Sequence, residues 1–572
     1  MEEKINNKTG VLAALEKGLF FILLMTAILV YTRFVNLGWG LPYPMNPDER
    51  NMAVAIGQLN CPLPTVSLDL PKSILGQWRP VQTWIRMSGD FNLKECFNPH
   101  FFAYGQFSLY LGYLMTLVLR ISPTLALRLI SAVASVATAF ILFRTALTVG
   151  PKGISRLLTL TLLIFLPYAI QFAHFGTTES LLMFFYTLII YKSILFIDDK
   201  LDVLRYVFSA AFVFGMAFGT KASAGIFVFV PLLTLILKKN HGFHPVYFFL
   251  TRIFDLFVFC LLSLFFSVLF SPHNIINFTD FIGALKYESD VALGSYVAFY
   301  TRQFVLTTPV FFQLEKVFPY ALGEVAFWLS FFGLFFIGWK DKRVNLLRFA
   351  FFIYFLPTAF FFAKWTRFMA PIFPILTLFV ILVIGGTVSF IDKNEFLKKL
   401  NKKTFFLVYP ILYISIVILV FLTLMPGLAY ISVYENDDVR FQASEWINKN
   451  IPPGSLILSE TANVVDIPIN NENNLDVVSF NFYDLDHSLV LQEELKDYID
   501  KADYIFVPSR RIFANLNNDY PLLNEYYRDL FSGKLGFKKV AEFSAGLNDE
   551  NAEETWTVFD HPVIRIYGRA DR

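Results

Sequence analysis

The stretch LFFILLMTAILVYTRFVNLGWGLPYPMNPDERNMAVAI, residues 19–56, begins as an unbroken apolar run and ends by placing Asp48, Glu49 and Arg50 directly behind it. A run over 19–37 is long enough to cross a bilayer, which takes ~20 helical residues. It is too long and too poorly punctuated to be a cleaved leader, because no small-residue cleavage site follows YTRFVNLGWG, so it is expected to stay as a helix. Runs of the same kind recur over 101–119, 126–147, 205–237, 250–270, 320–339, 346–363, 368–390 and 404–424. Of the 572 residues 55% are hydrophobic, 67 are Phe, and the mean hydropathy is +0.53. That is more apolar surface than a soluble domain of this length buries, and the expected fold is an α-helical polytopic membrane protein.

A net charge of +2 says nothing as a total; the distribution of Lys and Arg among short loops is what orients such a chain. Cationic clusters fall in alternate loops: Lys200 and Arg205; Lys238, Lys239 and Arg252; Lys340, Lys342, Arg343 and Arg348; then Lys393, Lys398, Lys399, Lys402 and Lys403. Placing these inside leaves 38–100, 271–318, the AKWTR turn at 363–367 and everything after 425 outside. The N-terminus is then cytoplasmic, and a crossing number of roughly 11–13 is expected. Three apolar segments between 101 and 173 disagree with this parity by one crossing. Pro167 is the expected break that resolves it.

The loops at 38–100 and 271–318 carry too many apolar and aromatic residues to be solvated linkers. They read as amphipathic surface helices that could roof a cavity. Cys61 and Cys96 share the first of these loops and could pair in an oxidising compartment; Cys260 sits in an apolar helix, and no Cys/His spacing of the metal-binding type occurs. Past 425 the composition turns charged, with short β-rich runs (GSLILSE, LDVVSF, ADYIFVP, VIRIYG) alternating with helical ones (DVRFQASEWINKN, LLNEYYRDLFSG). This predicts an extracytoplasmic α/β domain over 426–572, following a membrane domain over 1–425.

NPDER, residues 46–50, admits two readings. Asn46 as N-cap, Pro47 at the first helical position and acids in the first turn form a complete helix start. Equally, two carboxylates where a membrane helix emerges could provide a general base and its support. His100, in ECFNPHFFAYGQ, is either an interfacial anchor or a ligand for phosphate or metal. QFAHFGTTESLLMFF places His174 and Glu179 at another helix start, where Thr177 or Thr178 could cap. Lys221, in GMAFGTKASAGIFVFVPLL, and Arg367, in FFAKWTRFMAPIFP, are costly at membrane depth unless they have partners. Converging cations are what a phosphate leaving group needs.

Taken in order, the acid pair behind the first helix, the Pro-containing approach to the second, ALRLISAVASVATAFILFRTAL, TTESLL, GTKASAGIFVFVPLL and KWTRFMAPIFP resemble the GT-C superfamily. The likeness is to its protein O-mannosyltransferase and aminoarabinose-transferase-like branch, and it covers about 1–390. Tail segments YYRDLFSGKLGFKKVAEF and AEETWTVFDHPVIRIYG also resemble parts of some members. The resemblance implies a GT-C fold and an integral plasma-membrane glycosyltransferase that uses a polyprenyl-phosphate-linked sugar. Asp48 would be the base for inverting attack and Glu49 its support. Glu179, at an acidic position usually Asp in relatives, would bind the acceptor, a metal or the loop holding Asp48, while Lys221 and Arg367 would meet the lipid phosphate; His100 and His174, read from the residues themselves, could join the carboxylates in binding acceptor or metal. Where relatives often carry Lys-Pro-Pro-Leu, this chain has Asn98, Pro99, His100 and Phe101; His100 or Arg50 would substitute for the missing Lys.

The partners implied are the lipid-linked donor, a protein, lipid or glycan acceptor and membrane lipids, with no nucleic acid. A divalent metal ion is left open as cofactor, and no Gly-rich phosphate loop of the usual spacing occurs. A transporter or lipid flippase with an acidic and basic translocation path is the first rival reading, and a non-catalytic membrane scaffold whose external domain binds a partner is the second.

Overall fold

The computed structural model describes residues 19–60, 65–66, 87–88, 94–151, 155–238, 245–395, 402–460, 467–469, 473–515 and 520–570. Among them, six helices are long and apolar enough to cross a membrane: Pro123–Val149, Glu179–Ile197, Val203–Thr220, Phe249–Phe270, Thr366–Lys393 and Leu407–Glu435. The expected count of crossings is larger because it also drew on short and broken runs. Leu19–Phe34, Gln106–Leu119 and Ala222–Leu237 are apolar but shorter. Gln313–Leu322 and Glu324–Phe336 form a pair bent by 111° at Gly323, whose φ of 85° favours glycine.

Two further apolar runs are broken. The 155–173 segment splits where Pro167 was expected to split it: one helix ends at Thr161 and the next begins with Pro167 in its first turn. The 205–237 run, which reads as continuous, breaks at Lys221, held in an extended conformation (φ −159°, ψ 131°) between Val203–Thr220 and a 3-10 turn over Ala222–Val228. Gly105 packs so closely on Gly219 that a Cβ there would collide with its carbonyl, and Gly105 N–H donates to Thr220 O at 2.9 Å. This contact pins the start of the Gln106–Leu119 helix beside Lys221.

The helix Thr366–Lys393 is central, with 94% of its most apolar window buried, whereas Leu407–Glu435 is peripheral, with 6% buried. Exposed Leu407, Ile411, Ile414, Val417, Ile418 and Phe421 on the latter form a face suited to lipid. Cys260 is a free thiol and Cys96 is disulfide-bonded; Cys61, its expected partner, lies outside the described residues.

Beyond Glu435 the chain forms a five-stranded mixed sheet. With Thr65–Val66 (β1) and Met87–Ser88 (β2) forming a short antiparallel ladder earlier in the chain, the strands are Leu456–Glu460 (β3), Asp476–Phe480 (β4), Tyr504–Val507 (β5), Phe537–Phe543 (β6) and Ile564–Arg569 (β7). Their order is β4-β3-β5-β7-β6. β3 runs parallel to β4 and β5, with Ile457 opposite Val477 and Tyr504, and β7 runs antiparallel to β5 and β6. Helices Val439–Asn450, Leu489–Lys501 and Pro521–Phe531 pack on it.

Between β6 and β7 the chain returns to the helical bundle. Ala552 and Trp556 belong to the same buried apolar cluster as the membrane-type helices. Gln171 Nε2 donates to Trp556 O at 2.8 Å, and the hydroxyls of Tyr430 and Tyr434 donate to Asp560 Oδ2 at 2.8 and 2.7 Å.

Candidate active site

The helix Pro47–Gln58 starts as its sequence suggests: the Asn46 side-chain oxygen accepts from the N–H groups of Asp48 at 3.0 Å and Glu49 at 3.2 Å. The capping reading is therefore satisfied by Asn46 and leaves both carboxylates available for other contacts. Asp48 pairs with Arg367, its Oδ2 accepting from Nη1. Arg367 follows the helix start at Thr366, whose N–H donates to Glu553 Oε2 at 2.9 Å, and its guanidinium stacks on Trp365 at 4.5 Å.

Glu49 turns inward and is fully buried. Arg128 grips it with both arms, Nε to Oε1 at 2.7 Å and Nη2 to Oε2 at 2.8 Å. Gly176 N–H donates to the same Oε1 at 2.6 Å, and a Cβ at Gly176 would press on Leu127 at 2.6 Å. Glu49 thus fastens the loop that leads into Glu179. That glutamate opens the helix Glu179–Ile197 and meets Lys221 Nζ at 3.3 Å. Neither threonine caps this helix by a side-chain bond; the Thr178 hydroxyl instead donates to Glu179 Oε1 at 3.4 Å. The Lys221 ammonium lies 4.9 Å from the Tyr104 ring centre, a cation–π contact that offsets part of its desolvation.

Asp48, Glu179 and Arg367 line one small recess of about 20 Å³. Asp48 and Arg367 also line a cavity of about 340 Å³ beside it, whose other walls include Tyr104, Glu288, Tyr300 and Trp365. The 271–318 loop, through Glu288 and Tyr300, thus walls the cavity onto which the acid opens. The α/β region supplies Arg511 and Glu554 to the same cavity, joined at 3.3 Å. Burial pushes the Glu554 carboxyl up to about 7 against the pull of Arg511. Burial likewise raises Glu288, opposed by Lys221.

Other candidates lie elsewhere. Arg50 lines a separate open groove between the Pro42–Met45 loop and the sheet. His100 is exposed and sits 3.5 Å from Glu95. His174 is buried, with its ring nitrogens at 2.8 Å from the carbonyls of Ile170 and Val35 and its ring stacked on Tyr434 at 3.7 Å. Among the described residues no three His, Cys, Asp or Glu side chains are grouped to hold a metal ion. Sequence reasoning missed Arg128, Glu553, Glu554 and Arg511. The first is hidden in an apolar helix, while an acidic doublet ahead of Trp556 in a buried aromatic segment was a signal that could have been used.

Residues 108–273 match the family model for dolichyl-phosphate-mannose-protein mannosyltransferase. No curated protein sequence matches the chain. Among solved structures, the archaeal oligosaccharyltransferase AglB from Archaeoglobus fulgidus, in complex with an inhibitory peptide and a dolichol-phosphate, aligns at 11% identity and a TM-score of 0.48 over 89% of this chain and 72% of its own. ArnT from Cupriavidus metallidurans bound to undecaprenyl phosphate aligns at 11% identity and 0.45 over 96% of this chain and 97% of its own. The arabinofuranosyltransferase AftD from Mycobacteria aligns at 14% and 0.41 over 97% of this chain and 40% of its own. Over residues 108–273, which include Arg128, Glu179 and Lys221, the chain carries the sequence pattern of the dolichyl-phosphate-mannose-protein mannosyltransferases, a branch of the GT-C glycosyltransferases that its motif order resembles.

Proposed function

We propose that the chain is an integral membrane glycosyltransferase that moves a sugar from a polyprenyl-phosphate donor to a hydroxyl or amine acceptor on the extracytoplasmic side, with inversion. The observation that carries this is the meeting of Asp48, Glu179 and Arg367 in one recess, with Lys221 bonded to Glu179, in a chain whose 108–273 segment matches a family named for a dolichyl-phosphate sugar.

In this reading residues 1–425 hold the transferase machinery, with loops 38–100 and 271–318 facing outward, and 426–572 form the appended domain. The acceptor oxygen or nitrogen attacks the anomeric carbon from the face opposite the phosphate. Its proton passes to Asp48, the bond from carbon to phosphate oxygen breaks, and the lipid phosphate leaves with the electron pair. A carboxylate paired with a guanidinium is a weak base. The donor phosphate competes for Arg367 and so restores the basicity of Asp48 when substrate is in place. Lys221, steered by Glu179, supplies the second cation for the leaving group.

The test is purified protein incubated with a panel of polyprenyl-phosphate sugars, following release of free lipid phosphate. Asp48→Asn is expected to lower transfer by about two to four orders of magnitude while lipid binding persists. Wild-type turnover in that variant refutes the base, and a variant that loses flux of lipid across the bilayer without any bond cleavage in the wild type favours a transporter.

A further inference from the structure

We infer that Arg511 and Glu554, both contributed by the α/β region, form a subsite for the hydroxyl groups of a sugar ring in the wall of the Asp48 cavity. The inference rests on the glycosyltransferase reading and names which residues read the sugar.

Both side chains line the cavity, and both residues are buried, at 8% and 3% exposure. They are 3.3 Å apart, yet among the described residues Nε and Nη1 of Arg511 and Oε1 of Glu554 complete no hydrogen bond. Glu554 Oε2 is already taken by Gln303 Nε2 at 2.8 Å. Buried charges are tolerated when their remaining donors and acceptors are satisfied. Here Nη1 and Oε1 face only each other, at ion-pair distance, and Nε has no hydrogen-bond partner among the described residues, so the pair keeps hydrogen-bonding capacity at a cavity wall. A hydroxyl both gives and takes a hydrogen bond, so neighbouring hydroxyls on one ring suit a carboxylate beside a guanidinium fork. A simple anion would meet the Glu554 carboxylate.

Around the pair, Phe299, Tyr300 and Trp365 line the same cavity, with the Arg511 guanidinium 5.7 Å from the Phe299 ring centre. Such rings present apolar faces to the C–H side of a sugar while the charged pair meets its polar edge. The arrangement is built: Ser509 Oγ accepts from Arg511 N–H at 3.2 Å, and Glu553 caps the turn that carries Glu554, accepting from Thr555 N–H at 3.0 Å. Arg367 and Lys221, paired with Asp48 and Glu179 in the structure, are the cations that the proposed reaction assigns to the phosphate, so phosphate and sugar are read by different cations.

The experiment measures binding of undecaprenyl phosphate and of undecaprenyl-phosphate mannose, glucose, galactose and arabinose to the purified full chain and its variants. Wild type is expected to bind at least one sugar-bearing lipid about 10-fold tighter than the bare lipid. Glu554→Gln and Arg511→Lys should erase that gain while holding bare-lipid affinity within about two-fold, which also shows that they fold. Arg367→Gln should weaken every lipid alike. A gain retained in both variants, an equal loss for the bare lipid, or no sugar that adds affinity in wild type overturns the subsite alone. Failure of wild type to bind any polyprenyl phosphate overturns the glycosyltransferase reading with it. Methyl glycosides of the same sugars separate the two sources of hydroxyls. Binding beside prebound undecaprenyl phosphate that depends on Glu554 assigns the ring to the acceptor, and a gain seen only when sugar and lipid are joined assigns it to the donor.

Discussion

Asp48 and Glu49 leave one helix about 100° apart, and that angle separates their surroundings. Asp48 opens onto the cavity, its side chain 19% exposed against Arg367, whereas Glu49 is sealed between Arg128 and the Gly176 amide. Removing one member of a buried ion pair strands the other charge, at a cost of about 3–5 kcal/mol. Arg128→Ala should therefore lower the unfolding midpoint of the purified protein by far more than Asp48→Asn does, and should lower activity with it. Equal midpoints for the two variants in thermal or denaturant melts would show that Glu49 is not a structural fastener. The sequence made the helix start legible because cap, proline and acids are adjacent. Arg128 was not legible, because a partner 79 positions away leaves no local trace in an apolar helix.

Among the elements, those whose signal is a local contrast could be read. The apolar runs became helices, Pro167 began a helix after a break, and the four β-rich runs past 425 became β3, β4, β5 and β7. The edge strand β6 was missed because Lys538, Lys539 and Glu542 give it no apolar alternation, and its pattern of burial is mostly exposed. The break at Lys221 was hidden inside a long apolar run; an extended residue there is what turns the ammonium toward Glu179. One element also carries a pH signature. Glu460 ends β3, buried, with the Tyr527 hydroxyl donating to Oε1 at 2.6 Å. Burial holds its carboxyl up at about 8, slightly offset by that hydroxyl. A folded-state value above the ordinary 4.5 means that its contribution to stability is fully present below that value and is lost as pH rises through about 8. Melting of the α/β region should weaken over this window by a few kcal/mol at most, and Glu460→Gln should flatten the dependence. A wild-type melting profile that is level from pH 5 to pH 9 would contradict the assignment.

For the whole molecule, the membrane-type bundle and the sheet share a boundary that the composition change near 425 does not reveal. The segment between β6 and β7 crosses back: Trp556 joins the bundle core, Glu553 receives the Thr366 N–H one residue before Arg367, and Asp560 is held by Tyr430, Tyr434 and Gln171. His561 locks this crossing, with Nδ1 2.6 Å from Asp560 and Nε2 2.9 Å from Asp549. Burial alone would push the imidazole down, but the carboxylates of Asp560 and Asp549 hold it up at about 10, far above its ordinary 6.5. Its contribution is therefore complete below 6.5 and is lost as pH climbs through about 10. The two halves of the chain should consequently unfold as one cooperative unit near pH 6 and separate into two transitions as pH approaches 10. Asp560→Ala should produce the separation already at pH 6, because it strips the imidazolium of one partner and the two tyrosines of their acceptor. Glycosyl transfer should fall in parallel, since the cap on Thr366 loosens and Arg367 loses its fixed approach to Asp48. Single, coincident transitions for Asp560→Ala by near-ultraviolet circular dichroism and Trp fluorescence at both pH values would show that the returning segment is only packed against the bundle and does not couple the two halves.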